Sequence, residues 1–188
     1  MDRAMYQAIN GLAGHNRVVD DLFIALARFG PYIFVAAFAV LWFWPGSRAE
    51  RERRQVAGFL AAVSVLVALG VNQLISHWWY RPRPFVGHAA TLLLPGARDA
   101  SFPSDHAAFA FAAAVTLLLY SRRLGLIALL FAFLVAFARV YAGEHYVTDV
   151  LGGAVVGTAV ALGVWSLRRY AVLFLAPLLR VARRLRLA

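Results

Sequence analysis

The chain predicts an all-α, polytopic membrane helix bundle with five or six transmembrane helices, flanked by interfacial helices near its N- and C-termini. Three observations predict it. Hydrophobic residues fill 62% of the 188 positions and mean hydropathy is +0.69, more apolar surface than one globular core of this size can hide. The apolar residues come in runs that approach the thickness of a bilayer core, about 30 Å. Arginine clusters and aromatic pairs bracket those runs, as cytoplasmic loops and interfacial belts do. The formal charge of +10 also raises nucleic acid as a partner. Because the arginines bracket apolar segments and do not interleave with aromatics on a polar face, no nucleic-acid binding is expected. Absence of cysteine excludes disulfides and thiolate-bound metal. Residues 1–188 read as a single membrane domain without internal repeats.

Residues 1–17 carry Asp2, Arg3, Gln7, Asn10, His15 and Asn16, with no basic start ahead of an unbroken apolar core. A short interfacial helix is expected there, not a cleaved signal peptide. Leu22 to Trp44 is the first apolar stretch, interrupted by Arg28 and Gly30-Pro31. It reads either as one kinked span or as an interfacial helix followed by a span from Pro31. Trp42 and Trp44 mark a membrane boundary, and Arg48, Arg51, Arg53 and Arg54 put the next loop in the cytoplasm. The second span, Val56 to Trp79, ends in Trp78, Trp79 and Tyr80 at the opposite face. Asn72, Gln73 and His77 on its outer part are costly against lipid and are expected to face the bundle interior. The loop from Arg81 to Phe102 is then external, with His88, and with Leu92 to Leu94 and Pro95-Gly96 as a candidate lid. A short third span, Ser104 to Tyr120, closes at Ser121, Arg122 and Arg123. The fourth returns over Leu124 to Val140, and the fifth runs from Tyr146 to Leu167 and ends at Arg168 and Arg169. Gly153, Gly157 and Ala161 form a small-residue stripe suited to close packing within the fold. In the basic tail, 170–188, Leu178, Val181, Ala182 and Leu185 oppose Arg180, Arg183 and Arg184, as in a helix lying on an anionic inner leaflet.

The chemistry-bearing residues fall in three segments on the external side. ARVYAGEHYVTD (138–149) sets Arg139, Glu144, His145 and Asp149 between two apolar runs. If a helix begins near Glu144, His145 and Asp149 stand at i and i+4, so the carboxylate can hold one ring nitrogen and leave the other free. Taken alone, the segment fits a polar interhelical loop with a helix-start acid equally well. SFPSDHA (101–107) places Pro103, Ser104, Asp105 and His106 just before an apolar run, a helix start capped by Ser104 or Asp105 whose free amides suit an anion. YRPRPF (80–85) holds Arg81 and Arg83 in extended chain between prolines. Three arginines, a helix N-terminus, two histidines and an aspartate together describe a phosphate pocket.

These segments resemble the type-2 phosphatidic acid phosphatase superfamily of membrane lipid phosphatases. Its motifs are an Arg-Pro element with a Lys upstream, a Pro-Ser-(Gly)-His element, and an Arg followed six residues on by His and four later by Asp. Arg83-Pro84, then Pro103-Ser104-Asp105-His106, then Arg139, His145 and Asp149 match in that order. The surrounding YRPRPFV, SFPSDHA and GEHYVTDVLGG are most similar to the bacterial undecaprenyl pyrophosphate phosphatases. The resemblance implies hydrolysis of a polyprenyl pyrophosphate or other lipid phosphate at the outer face of the bacterial cytoplasmic membrane, through a phosphohistidine. It implies His145 as nucleophile, Asp149 as its orienting acid and His106 as general acid and then base. Arg83, Arg139 and Ser104, with Arg81 and Asp105 beside them, become the phosphate-binding residues. No cofactor and no metal are implied, and no carboxylate pair of the kind that holds Mg²⁺ is evident.

Three departures from the family pattern stand out. The chain has no lysine, so the family Lys is missing near Ser76, and Arg81 and Asn72 are the candidates to compensate. Asp105 stands where Gly is common, a feature shared with the undecaprenyl subgroup, and Ala138 replaces a frequent Ser. Another lipid phosphate as substrate (phosphatidylglycerophosphate, phosphatidic acid or a lipid A phosphate) and a non-catalytic lipid-phosphate binder or transporter are the alternatives. The motifs leave the lipid tail and the oligomeric state open.

Overall fold

The computed structural model describes residues 1–87, 90–170 and 173. His88 and the basic amphipathic segment around Leu178 to Leu185 lie outside the described residues. Those described form seven helices and no strand: α1 Asp2–Asn10, α2 Arg17–Phe43, α3 Arg48–Trp78, α4 Pro84–Gly87, α5 Asp105–Tyr120, α6 Arg122–Tyr141 and α7 Val147–Ser166. Four of them, α2, α3, α6 and α7, are long and apolar enough to cross a membrane. At 16 residues α5 is shorter, about 24 Å.

The bundle is built around α5. Ten of its residues from Ala107 to Leu117 are buried, six of them alanines, so the helix is apolar on every side and lets its neighbours approach closely. Lipid is as apolar as a side chain, so helices in a bilayer are held by close van der Waals contact and not by hydrophobic transfer. The contact of α7 with α5 shows how. A Cβ added at Gly153 would stand 2.3 Å from the Ser104 carbonyl oxygen, and one at Gly157 would stand 2.3 Å from that of Ala108. The small-residue stripe on α7 therefore serves packing within the fold. On the other side, α3 turns Ala57, Leu60, Ala61, Ser64, Val65, Ala68 and Asn72 inward at helical spacing, and Thr116 Oγ1 of α5 donates to Ser64 Oγ at 3.3 Å.

The open alternative at Leu22 to Trp44 resolves as one continuous helix, α2, with Pro31 inside it. Proline has no N–H, so the carbonyl four residues earlier loses its helical partner. That carbonyl belongs to Ala27, and Arg139 Nη1 of α6 donates to it at 3.4 Å. Pro31 thus frees an acceptor for a buried arginine of the candidate site.

The two ends of the bundle differ in charge. The start of α3 and the ends of α5 and α7 surround a cleft lined by Arg53, Arg168, Arg169, Tyr120 and Trp165. At the other end, the loop from 79 to 104, the α6–α7 turn and α1 come together. Asn10 of α1 donates to the carbonyls of Thr91 and Tyr141, both at 2.8 Å, and accepts from the Thr91 amide at 2.9 Å. Tyr6 packs edge-on against Tyr146. The helix expected to lie on the interface is therefore fastened across the site end, and Leu93 and Leu94 of the candidate lid pack against Ala27, Ala138 and Ala142.

Candidate active site

Four segments meet at this end. Arg83 stands between Pro82 and Pro84, immediately before α4. Ser104 caps α5, its Oγ accepting from the Ala107 amide at 3.5 Å, and His106 lies in the first turn. Arg139 leaves the last turn of α6. Gly143, at φ +85°, turns the chain so that Glu144 and His145 point back into the bundle. A side chain there would be strained and would place its Cβ 2.7 Å from the Thr91 carbonyl oxygen.

The arginines form a cage around one carboxylate. Arg83 and Arg139 are each 6% exposed. Glu144 Oε2 accepts from Arg83 Nη1 at 3.0 Å and makes a short contact with Arg139 Nη2. Arg83 Nη2 also meets Asp99 Oδ1 at 2.8 Å. Arg139 Nε is buried without a hydrogen-bond partner among the described residues, a donor that an entering oxygen would satisfy. A cage of fixed guanidiniums with a spare donor suits a phosphate. Removing the charge of Glu144 should leave Arg139 without a counter-charge. The Glu144→Gln variant is expected to lose about 3 kcal/mol, and millimolar phosphate should raise its Tm more than that of the unsubstituted protein. Equal Tm values for the two proteins, with equal phosphate shifts, would contradict this picture of the cage.

His145 is 2% exposed and lies against that cage. Its Nδ1 is 2.8 Å from the Ser101 carbonyl oxygen, and its Nε2 is 3.4 Å from Arg83 Nη1. A carbonyl only accepts, so Nδ1 carries the proton and the lone pair of the neutral ring sits on Nε2. Burial lowers the His145 pKa below the ordinary imidazole range. Asp149 opposes the shift, while the Arg139 and Arg83 charges add to it. His106 lies within electrostatic reach of Arg139 and Arg83.

Asp149 is fully buried and serves several groups at once. Its Oδ2 accepts from Ser101 Oγ at 2.5 Å and from the Tyr146 amide at 2.8 Å, and lies 3.8 Å from His145 Nδ1. Its Oδ1 accepts from Arg81 Nη1 at 2.6 Å. The spacing of four suggested that this carboxylate holds the ring directly. In the structure α7 begins at Val147, so His145 precedes the helix, and the Ser101 carbonyl takes the ring proton.

Other expected residues are placed differently from Arg83, Arg139 and Ser104. Arg81 donates to Asp149, to Thr148 and to Asp2, and stacks over Tyr146 at 4.1 Å, so its guanidinium is already engaged by protein groups. Asp105 accepts from Asn72 Nδ2 at 2.9 Å and Gln73 Nε2 at 3.0 Å, which ties α5 to α3. Near the position of the missing Lys, Ser76 Oγ donates to its own helix at Gln73. The sequence assigned no role to Ser101, Asp99, Glu144, Asp2 or Thr148. Ser101 opens the second motif and Glu144 precedes His145, so both were in view. Asp2 lies at the far end of the chain and carries no local signal. No group of three or more potential ligands among the described residues is placed to hold a metal ion.

Comparison with known proteins identifies the family. The family model described as PAP2 superfamily matches residues 57–173. The protein named undecaprenyl-diphosphatase BcrC, of Bacillus subtilis, is 34% identical over 156 residues, covering 83% of this chain and 78% of that one. The crystal structure of Aquifex aeolicus LpxE shares the fold with a TM-score of 0.72 at 24% identity, covering 88% of this chain and 94% of that one. So does the transmembrane PAP2 type phosphatidylglycerolphosphate phosphatase of Bacillus subtilis, with a TM-score of 0.66 at 23% identity, over 90% and 85% of the two chains. By its matched family model, its relative and its fold, the chain belongs to the PAP2 superfamily and is a multi-pass membrane protein of the lipid phosphatase kind.

Proposed function

We propose that this single membrane domain hydrolyses undecaprenyl pyrophosphate to undecaprenyl phosphate and inorganic phosphate, through a phosphohistidine at His145. The observation that carries the reading is the His145 ring, with Nδ1 held by a carbonyl and Nε2 facing Arg83. Nε2 attacks the terminal phosphorus, the bond to the bridging oxygen breaks, and His106 gives its proton to the departing undecaprenyl phosphate. His106 then takes a proton from water, whose oxygen displaces His145 and releases phosphate. Arg83, Arg139, the Ser104 hydroxyl and the first-turn amides of α5, which have no intrahelical partner, hold the equatorial oxygens as charge spreads over them.

Three further parts of the proposal have physical support. Arg48, Arg51, Arg53, Arg54, Arg122, Arg123, Arg168 and Arg169 all lie toward the end remote from His145, so the positive-inside rule turns the site to the extracytoplasmic face. The reaction is proposed to need no metal, because the site carboxylates are already committed: Glu144 to two arginines, Asp149 to Arg81 and Ser101, Asp105 to two amides. The prenyl pyrophosphate is favoured among lipid phosphates by the relative named undecaprenyl-diphosphatase BcrC and by the residues around the motifs.

Phosphate release from a panel of detergent-solubilised lipids tests the reading. The expected kcat/KM is at least about tenfold higher for undecaprenyl pyrophosphate than for phosphatidylglycerophosphate or phosphatidic acid, and EDTA should leave it unchanged. A higher value for a glycerolipid phosphate would move the assignment to that lipid, and a loss in EDTA reversed by Mg²⁺ would overturn the metal-free mechanism.

A further inference from the structure

Arg81 sits in a socket made by residues far apart in sequence. Its Nη1 donates to Asp149 Oδ1 at 2.6 Å and to Thr148 Oγ1 at 2.7 Å, its Nη2 donates to Asp2 Oδ2 at 2.6 Å, and the Tyr146 ring lies beneath it. Asp2 does more than pair with this arginine. Its Oδ1 accepts from the Thr148 amide at 3.1 Å and its Oδ2 from the Thr148 hydroxyl at 2.5 Å, so it also occupies a free donor of the first turn of α7. Asp2 and Asp149 therefore each hold one terminal nitrogen of the same guanidinium, and α1 is fastened by the Asn10 and Tyr6 contacts that keep Asp2 in place.

We propose that Asp2 is a positioning residue for the reaction, acting through Arg81 to fix the Asp149 carboxylate beside His145. The inference rests on the role proposed above for His145. With Asp2 present, Arg81 is shared between two carboxylates, and the group of three keeps one net negative charge next to the imidazole. That charge favours the positive imidazole ring that forms as Nε2 takes the phosphoryl group. With Asp2 neutral, Arg81 turns its whole charge on Asp149 and cancels it. The effect belongs to the chemical step, since the guanidinium nitrogens that donate here are already taken up by protein groups.

The test is Asp2→Asn, which keeps the shape of the side chain and an acceptor for the Thr148 amide, measured alone and in an Asp149→Asn background. Alone it is expected to lower kcat on undecaprenyl pyrophosphate about tenfold with KM held within about twofold, whereas a binding defect would raise KM. In the Asp149→Asn background it should cost nothing further, because residues acting in series are not additive. Unchanged kcat in Asp2→Asn, a loss expressed mainly in KM, or equal losses in the two backgrounds would overturn the inference. If the unsubstituted protein hydrolyses no lipid on the panel, the proposed function fails instead. Hydrogen exchange at the Tyr146 amide, which donates to Asp149, then decides the matter: faster exchange in Asp2→Asn supports the linkage and unchanged exchange overturns it.

Discussion

Replacement of His145 by alanine is expected to lower phosphate release at least about 10⁴-fold, while the protein remains folded and still binds its lipid. Losses of that order follow when the group that forms the covalent intermediate is removed, because every later step depends on it. The surroundings of the ring argue for this specifically. The lone pair of Nε2 faces Arg83 Nη1 at 3.4 Å, so the guanidinium that can guide a phosphate oxygen stands beside the nitrogen that attacks. The measurement is steady-state release at saturating lipid, with thermal unfolding as the control for folding. Residual activity within tenfold of the parent protein would remove His145 from the chemistry.

The second large effect concerns His106. Its substitution by asparagine should lower turnover of undecaprenyl pyrophosphate by about 10²- to 10⁴-fold, the usual contribution of a positioned acid or base. The measurement is steady-state phosphate release at saturating lipid, with thermal unfolding as the control for folding. Residual turnover within about twofold of the parent protein would take the proton-transfer role away from His106.

Much of this site was legible in the sequence because its parts come in short segments. Arg83-Pro84, Ser104 to His106, and Arg139 to Asp149 each announce themselves by charge amid apolar residues, and a proline or a helix start fixes the local geometry of the first two. The fold was legible for the same reason: apolar runs closed by arginines gave α2, α3, α5, α6 and α7 in order. What escaped depends on tertiary contact. The spacing of His145 and Asp149 implied a direct bond only if the helix began near Glu144, and the start of α7 at Val147 moves the ring onto the Ser101 carbonyl. Arg81 was grouped with the phosphate ligands by its neighbour Arg83. Its three partners, Asp2, Thr148 and Asp149, lie 67 to 79 residues away, beyond any local pattern. Pro31 left two readings of α2 open, because the sequence could not show that Arg139 would take up the Ala27 carbonyl it frees.

The most direct measurement is capture of the intermediate. Undecaprenyl pyrophosphate carrying ³²P in the terminal phosphoryl group is mixed with the protein and quenched in alkali within milliseconds, and the chain is digested and mapped. The expected result is label stable in base, lost in mild acid, and confined to the peptide containing His145. Label on another residue, or full hydrolysis with no labelled protein at any quench time and no burst of undecaprenyl phosphate, would contradict phosphoryl transfer to this imidazole.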